Sequence, residues 1–293
     1  MKTKKLKEKT KDFLRSLCFL FPSLLGVGLF FILPFGVVVY YSLIDGVGSR
    51  NFVGLSNFIK LFNNSAFIMA AKNTLKFSFT AVPLAVALAM GLALMLECRI
   101  PLKSQFRTFF LSPMMVPVAS VVLIWQVLFN YNGTVNEFIM LFGADKVDWL
   151  QSQFAPVVVL LLFLWKNLGY NMILFMAALN NIPKELLEVA DVEGASEMYK
   201  FFAIKLRYLS PTVLFVTILS LINSFKVFRE VYLLAGAYPY ETLYTLQHFM
   251  NNTFDSLDYQ KLSAAAVLMA LVMVVIIALL FKAEDWFGKD VEG

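Results

Sequence analysis

Long apolar runs alternate with short polar connections along most of this chain. A helix needs about 20 apolar residues to cross a hydrocarbon layer about 30 Å thick, rising about 1.5 Å per residue. Six runs meet that length, over 17–42, 71–96, 106–129, 153–179, 210–232 and 262–283. Several contain proline, among them Pro34, Pro83 and Pro117. Bundled membrane helices accommodate proline because their neighbours re-satisfy the freed backbone groups. The pattern predicts an all-α membrane protein with six transmembrane helices. No internal repeat or low-complexity linker divides it. The expected layout is a tail over 1–16, a first helix and outer loop over 17–70, a transmembrane core over 71–283 and a second tail over 284–293.

Composition agrees with that pattern. Of 293 residues, 59% are hydrophobic and 15% charged, and the mean hydropathy of +0.72 lies well above that of a soluble domain. The net charge of +5 is concentrated, with seven basic residues between Lys2 and Arg15. Beside an apolar run, such a tail fixes membrane orientation and does not call for nucleic acid. The first run is too long for a signal peptide and no small-x-small cleavage site follows it, so a retained helix is expected. With the N-terminus inside, the inner segments hold sixteen Lys and Arg and the outer loops six, the latter including Lys226 and Arg229. That asymmetry predicts a multi-pass protein with both termini cytoplasmic. Cys18 and Cys98 have no metal spacing and no disulfide framework, and read as small apolar side chains.

Between the fourth and fifth runs lies a charged block, LLEVADVEGASEMYKFFAIKLRYLSP, from Leu186 to Pro211. Pro183 suits a first helical position, and Glu185 and Glu188 lie where the helix dipole favours anions. Leu186, Leu187 and Ala190 form an apolar edge. Gly194 breaks the helix and permits close backbone approach. Ser196 can cap a second helix with Met198, Phe201, Phe202 and Ile204 on one face, and Pro211 marks entry to the fifth span. By pattern alone this is a helix, a bend and a helix along the membrane surface, either an ordinary interfacial connection or a docking element.

The block resembles the signature loop of bacterial ABC importer permeases, E-A-A-x-x-x-G-A followed by F-x-x-I-x-L-P-x-L-x-P. Glu188, Ala190, Gly194, Ala195, Phe201, Ile204, Leu206, Leu209 and Pro211 fall in register, whereas Val189, Glu193 and Arg207 depart from the usual residues. FVGLSNF at 52–58, NTLKFS at 73–78, LAGAYPYETLYTL and DYQKLSAAAVL are similar to segments of the carbohydrate-uptake subfamily, the maltose-type and lactose-type permeases. The resemblance implies a type I importer permease fold whose coupling helix carries Glu188, Ala190, Asp191, Glu193, Gly194 and Ala195. It further implies a bacterial cytoplasmic-membrane location and a heterodimer with a second permease. Two ATP-binding subunits and an extracytoplasmic solute-binding protein complete the expected assembly, surrounded by membrane lipid and without nucleic acid.

The chain has no G-x-x-x-x-G-K-[ST], so ATP hydrolysis is expected in the partner subunits, with no catalytic residue, metal or cofactor here. Its single histidine, His248, reads as a packing or surface residue. An intramembrane hydrolase, the reading from another class, would need catalytic groups at membrane depth, and the acids lie almost wholly outside the spans. Asn171 and Asn223 fall about 15 and 18 Å from the cytoplasmic ends of their spans, and Asn167 shares a face with Asn171. Trp125 and Gln126, with Trp165, combine planar polar groups and aromatic surfaces of the kind that bind sugars. These residues are the candidate substrate pathway, or else helix-packing groups. The expected cargo is a sugar, in particular an oligosaccharide, with glycerol-phosphate or polyol cargo as the alternative. Lys166 is the only Lys or Arg expected well inside a span, a poor route for an anion, which favours a neutral sugar.

Overall fold

The apolar runs form helices, and two of the six expected spans differ from the sequence pattern. The computed structural model describes residues 16, 19–46, 48–97 and 102–288. Cys18, Cys98, Arg99, Lys289 and the basic residues from Lys2 to Arg15 lie outside them. In chain order the helices are α1 (Phe19–Ser42), α2 (Ser56–Phe62), α3 (Ser65–Glu97), α4 (Lys103–Met115), α5 (Val118–Leu128) and α6 (Thr134–Met140). There follow α7 (Ala155–Asn180), α8 (Lys184–Val192), α9 (Leu206–Lys226), α10 (Phe228–Ala235), α11 (Leu246–Asp255) and α12 (Tyr259–Gly288). They divide into two compact units, one of residues Met1–Asn64 with Thr253–Leu271, the other of Ser65–Asn252 with Val272–Gly293.

In the smaller unit, α1 widens into a π-turn over Gly28–Ile32, where the Leu33 N–H reaches the Gly28 carbonyl. Pro34 lacks an N–H and crowds the preceding turn, which accounts for the widening. The FVGLSNF segment closes the end of this helix. Buried Asn57 donates to the Ser42 and Ile44 carbonyls at 3.0 and 2.8 Å, and the Val53 N–H bonds the Leu43 carbonyl at 2.8 Å. Asp258 caps α12 by accepting from the Lys261 N–H at 3.1 Å.

The larger unit is organised by α3. Ala81, Ala85, Ala89 and Ala93 are fully buried, and Ala70, Thr74 and Ser78 extend the same face toward its start. Small side chains at helical spacing allow close helix approach, which in lipid is what dispersion and polar contacts require. Ala85 packs with Val159 and Phe163 of α7, and Ala89 and Ala93 with Met172 and Phe175. Ser78 bonds Ser224 of α9 at 2.8 Å and Asn171 bonds Ser220 at 2.9 Å, joining α9 to both. At Gly169 of α7 a Cβ would lie 1.8 Å from the Phe110 carbonyl oxygen of α4, so only glycine permits that crossing.

The third expected span, 106–129, is not one helix. It breaks between α4 and α5 with a bend of 101°. Pro117 drives Val116 into an extended conformation, φ −88° and ψ 129°, and neither Pro113 nor Pro117 can donate a helical hydrogen bond. The fifth span also differs. Helix runs from Glu197 to Ala235, so Pro211 lies inside it and does not mark its start. With Arg207 in place of the usual proline, the second interfacial helix joins the span through a π-turn at Lys200–Lys205. The Leu206 N–H there bonds the Phe201 carbonyl.

Candidate functional site

The block between α7 and α9 adopts the expected helix–bend–helix form. Pro183 occupies the cap position, one residue earlier than the pattern suggested, and α8 follows with Glu185 in its first turn. The bend at Gly194 is a Schellman motif. The Gly194 N–H bonds the Asp191 carbonyl at 3.0 Å, and the Ala195 N–H bonds the Ala190 carbonyl at 2.9 Å. Gly194 has φ +76°, and a Cβ there would meet nothing within 4 Å. Backbone sign, and not crowding within this chain, therefore requires the glycine. Ser196 caps the next helical turn, its Oγ accepting from the Tyr199 N–H at 3.2 Å.

The two faces of α8 are chemically distinct. Leu187 packs against the core and Ala190 is buried. Asp191, with Glu197, forms ion pairs with the largely buried Lys200, which ties the two arms of the bend together. Lys205 adds a 2.8 Å pair to Glu97 at the end of α3. Facing outward are Glu185, Glu188, Val189 and Val192, and Val192 is 89% exposed. Glu193, Gly194 and Leu186 are also exposed. No residue among those described pairs with Glu188. An anchored inner face and an open acidic-apolar outer face suit a rigid contact element.

A second feature lies at the break between α4 and α5. A cavity of about 290 Å³ is lined there by Val116 and Val118, by Phe163, Lys166 and Asn167 of α7, and by α9–α10. The last contribute Asn223, Lys226, Arg229 and Glu230. Asn223, Lys226, Val227 and Glu230 follow the i, i+3, i+4, i+7 spacing of one helix face. Irregular backbone at membrane depth is tolerated where it lines such a cavity. Asn223 donates to the Asn167 Oδ1 at 2.8 Å, and Asn167 donates to the Phe163 carbonyl at 2.7 Å. Lys166 forms a close ion pair with Glu230. Lys226 and Arg229 are exposed, and neither has an ion-pair partner among the described residues.

Of the candidate pathway residues, Asn167 and Asn223 come together in this cavity. Asn171 is buried and committed to Ser220. Trp125 packs against Trp165 with the rings tilted by 37° and their centroids 5.3 Å apart, and its Nε1 reaches the Val158 carbonyl at 3.4 Å. Gln126 donates to the Leu233 and Leu234 carbonyls at 3.2 Å and binds α5 to the end of α10. Sequence reading placed Lys226 and Arg229 in an outer loop. The signal that locates Lys226 is the continuation of the Asn223 face by one further turn, whereas Arg229 lies off that face. His248 is buried, edge-on to Phe228 at 4.6 Å, and burial pushes its pKa down to about 4. Arg207 and Glu284 line a separate apolar cavity of about 560 Å³ beside α9.

Several long apolar helices, one of them broken around a polar cavity, and a braced helical bend in one connection define a membrane transport component. Residues 81–293 match the family described as "Binding-protein-dependent transport system inner membrane component", and the chain belongs to that family. It is a multi-pass permease subunit of an ABC importer. It is 30% identical to the sn-glycerol-3-phosphate transport system permease protein UgpA of Escherichia coli O6:K15:H31 (strain 536 / UPEC), over 89% of this chain and 90% of the relative. It is 28% identical to the "Probable ABC transporter permease protein YesP" of Bacillus subtilis (strain 168), over 97% of this chain and 94% of the relative. Its fold matches a chain of a bacterial ABC transporter involved in the import of the acidic polysaccharide alginate, with a TM-score of 0.80. That match has 22% identity and covers 96% of this chain and 98% of the other.

Proposed function

We propose that this chain forms half of a heterodimeric pore that imports a saccharide, an oligosaccharide in particular, across a bacterial cytoplasmic membrane. Both termini face the cytoplasm in this reading, the core begins near residue 71, and α8 seats on an ATP-binding subunit that supplies the hydrolysis. A second permease, a second ATP-binding subunit and an extracytoplasmic binding protein complete the importer. The observation that carries this reading is Glu188, an unpaired carboxylate on the exposed face of a helix whose inner face is anchored by Leu187 and Ala190 and whose end is tied down by the Asp191–Lys200 ion pair. A charge-assisted contact from it to the ATP-binding subunit is worth about 1.5–3 kcal/mol. Glu193, Gly194 and Ala195 shape the end of the same contact. Cargo passes by Asn167 and Asn223, while Asn171, Trp125 and Gln126 hold the helices around that route.

The test is Glu188→Lys. It is expected to leave the protein at normal levels in the membrane while abolishing uptake and the stimulation of ATP hydrolysis by loaded binding protein. Normal transport at wild-type membrane levels would sink the docking assignment. A second cargo reading, glycerol phosphate, is favoured by the name of the UgpA relative. Uptake of labelled oligosaccharide and of labelled glycerol 3-phosphate, in cells lacking the chain and in cells with it restored, separates the two.

A further inference from the structure

The charge balance of the cavity at the α4–α5 break reaches further than a neutral sugar requires. Its lining holds three cations, Lys166, Lys226 and Arg229, and one carboxylate, Glu230. Lys166 and Glu230 are paired, which leaves Lys226 and Arg229 uncompensated. The sequence reading counted Lys226 and Arg229 with an outer loop; here they are helical, because helix continues from Leu206 through Lys226 and on to Ala235. That continuation brings Lys226 and Arg229 to the same cavity as Asn223.

Lys226 and Arg229 are exposed at the cavity and have no counter-ion among the described residues, so together they present a positive potential to an anion that enters it. Lys226 ends α9 and Arg229 lies in the first turn of α10, at the opposite end of α9 from Lys205 and Arg207. The amides add direction. Asn167 and Asn223 each have one N–H engaged, to the Phe163 carbonyl and to the Asn167 Oδ1, so each keeps a second N–H. Free amide donors beside a guanidinium and an ammonium make a set that binds carboxylate or phosphate oxygens. The cavity at this wall, about 290 Å³, has room for one sugar unit.

We infer that the cargo carries an anionic group, and that Lys226 and Arg229 bind it while one residue of the cargo occupies the cavity beside Asn167 and Asn223. This deepens the carbohydrate-permease reading and rests on it. The anion is either a sugar carboxylate or a phosphate monoester, and the same donors suit both.

The experiment measures uptake of three labelled probes, in cells with the complete importer and in cells lacking this chain. The probes are oligogalacturonate, the same oligosaccharide with its carboxylates reduced to alcohols, and glycerol 3-phosphate. Each is measured with wild type, with Lys226→Gln/Arg229→Gln and with the charge-preserving Lys226→Arg/Arg229→Lys. Immunoblots of membranes check that the variants insert. The inference expects chain-dependent uptake of an acidic probe, which one naming the carboxylate or the phosphate. It also expects that uptake to fall about tenfold or more per neutralised cation, as loss of a charge-assisted contact implies, with substantial recovery in the charge-preserving variant. Chain-dependent uptake of the reduced oligosaccharide alone, unaltered in the neutralised variant, overturns the inference and leaves the carbohydrate reading standing. No chain-dependent uptake of any probe overturns both. An acidic probe taken up equally well by the inserted neutralised variant overturns the role of the two cations.

Discussion

His248 sits where a charge cannot be accommodated. Its Nδ1 accepts the Thr245 N–H at 3.3 Å and lies 2.8 Å from the Thr245 hydroxyl, while its buried Nε2 has no partner among the described residues. Phe228 and Tyr244 pack around it. Burial alone lowers its pKa from 6.5 to about 4, so the folded protein holds it neutral. A depressed pKa gives stability that is complete above the unfolded value and lost as pH falls through the folded one. The purified protein is therefore expected to melt at progressively lower temperature as pH drops from 6.5 toward about 4. His248→Phe should flatten that part of the profile, and an unchanged slope in the variant would assign the dependence to other groups. The sequence narrowed His248 to a packing or a surface role, because one histidine without metal-ligand neighbours has little else to do. It did not reveal what packs on it, since Phe228 lies twenty positions away and only the tertiary fold brings it there.

The bend after α8 was legible in more detail, because its signals are local. Glycine after an acidic amphipathic helix and serine two residues later specify a turn and a cap within a few bonds, whatever the rest of the fold does. The pattern read that glycine both as a helix break and as a point of close backbone approach, and the chain by itself displays the break. The positive φ of Gly194 requires the glycine, and open space surrounds the missing Cβ. That distinction can be tested. Asn tolerates the left-handed region far better than a β-branched residue. Gly194→Asn is expected to retain most uptake and Gly194→Val to lose it, by about 1–2 kcal/mol of backbone strain or more. Equal loss in both variants, at equal membrane levels, would mean that a partner surface packs against this position. The break between α4 and α5 was not legible, because hydropathy over 106–129 stays high straight through it. Pro117 was visible in that window but read as a tolerated kink. Whether such a proline kinks a span or splits it depends on Pro113 and on the cavity that the extended Val116 helps to wall.

For the whole molecule, the helix α1 carries the largest unmet requirement. None of its most apolar window is buried within the chain, against 33% for α3 and 44% for α7. Phe19, Phe30 and Phe31 are each more than 70% exposed. Lipid tails can cover such a surface, yet a helix held only by lipid adds nothing to a permease core. The polar groups of the cavity make a similar point. Lys226 and Arg229 are exposed at a wall built by one chain, and a pore needs a facing wall. Both features are satisfied by a second permease subunit, which the resemblance to carbohydrate-uptake importers takes to be a different chain. Affinity purification of this subunit from cells grown on the cargo is therefore expected to recover a second permease in equal amount, with two copies of an ATP-binding subunit. Cysteine pairs placed at Phe30 and scanned along the spans of that partner should cross-link. Recovery of an active importer with two copies of this chain and no other permease would overturn the heterodimer, while leaving intact its membership of the permease family.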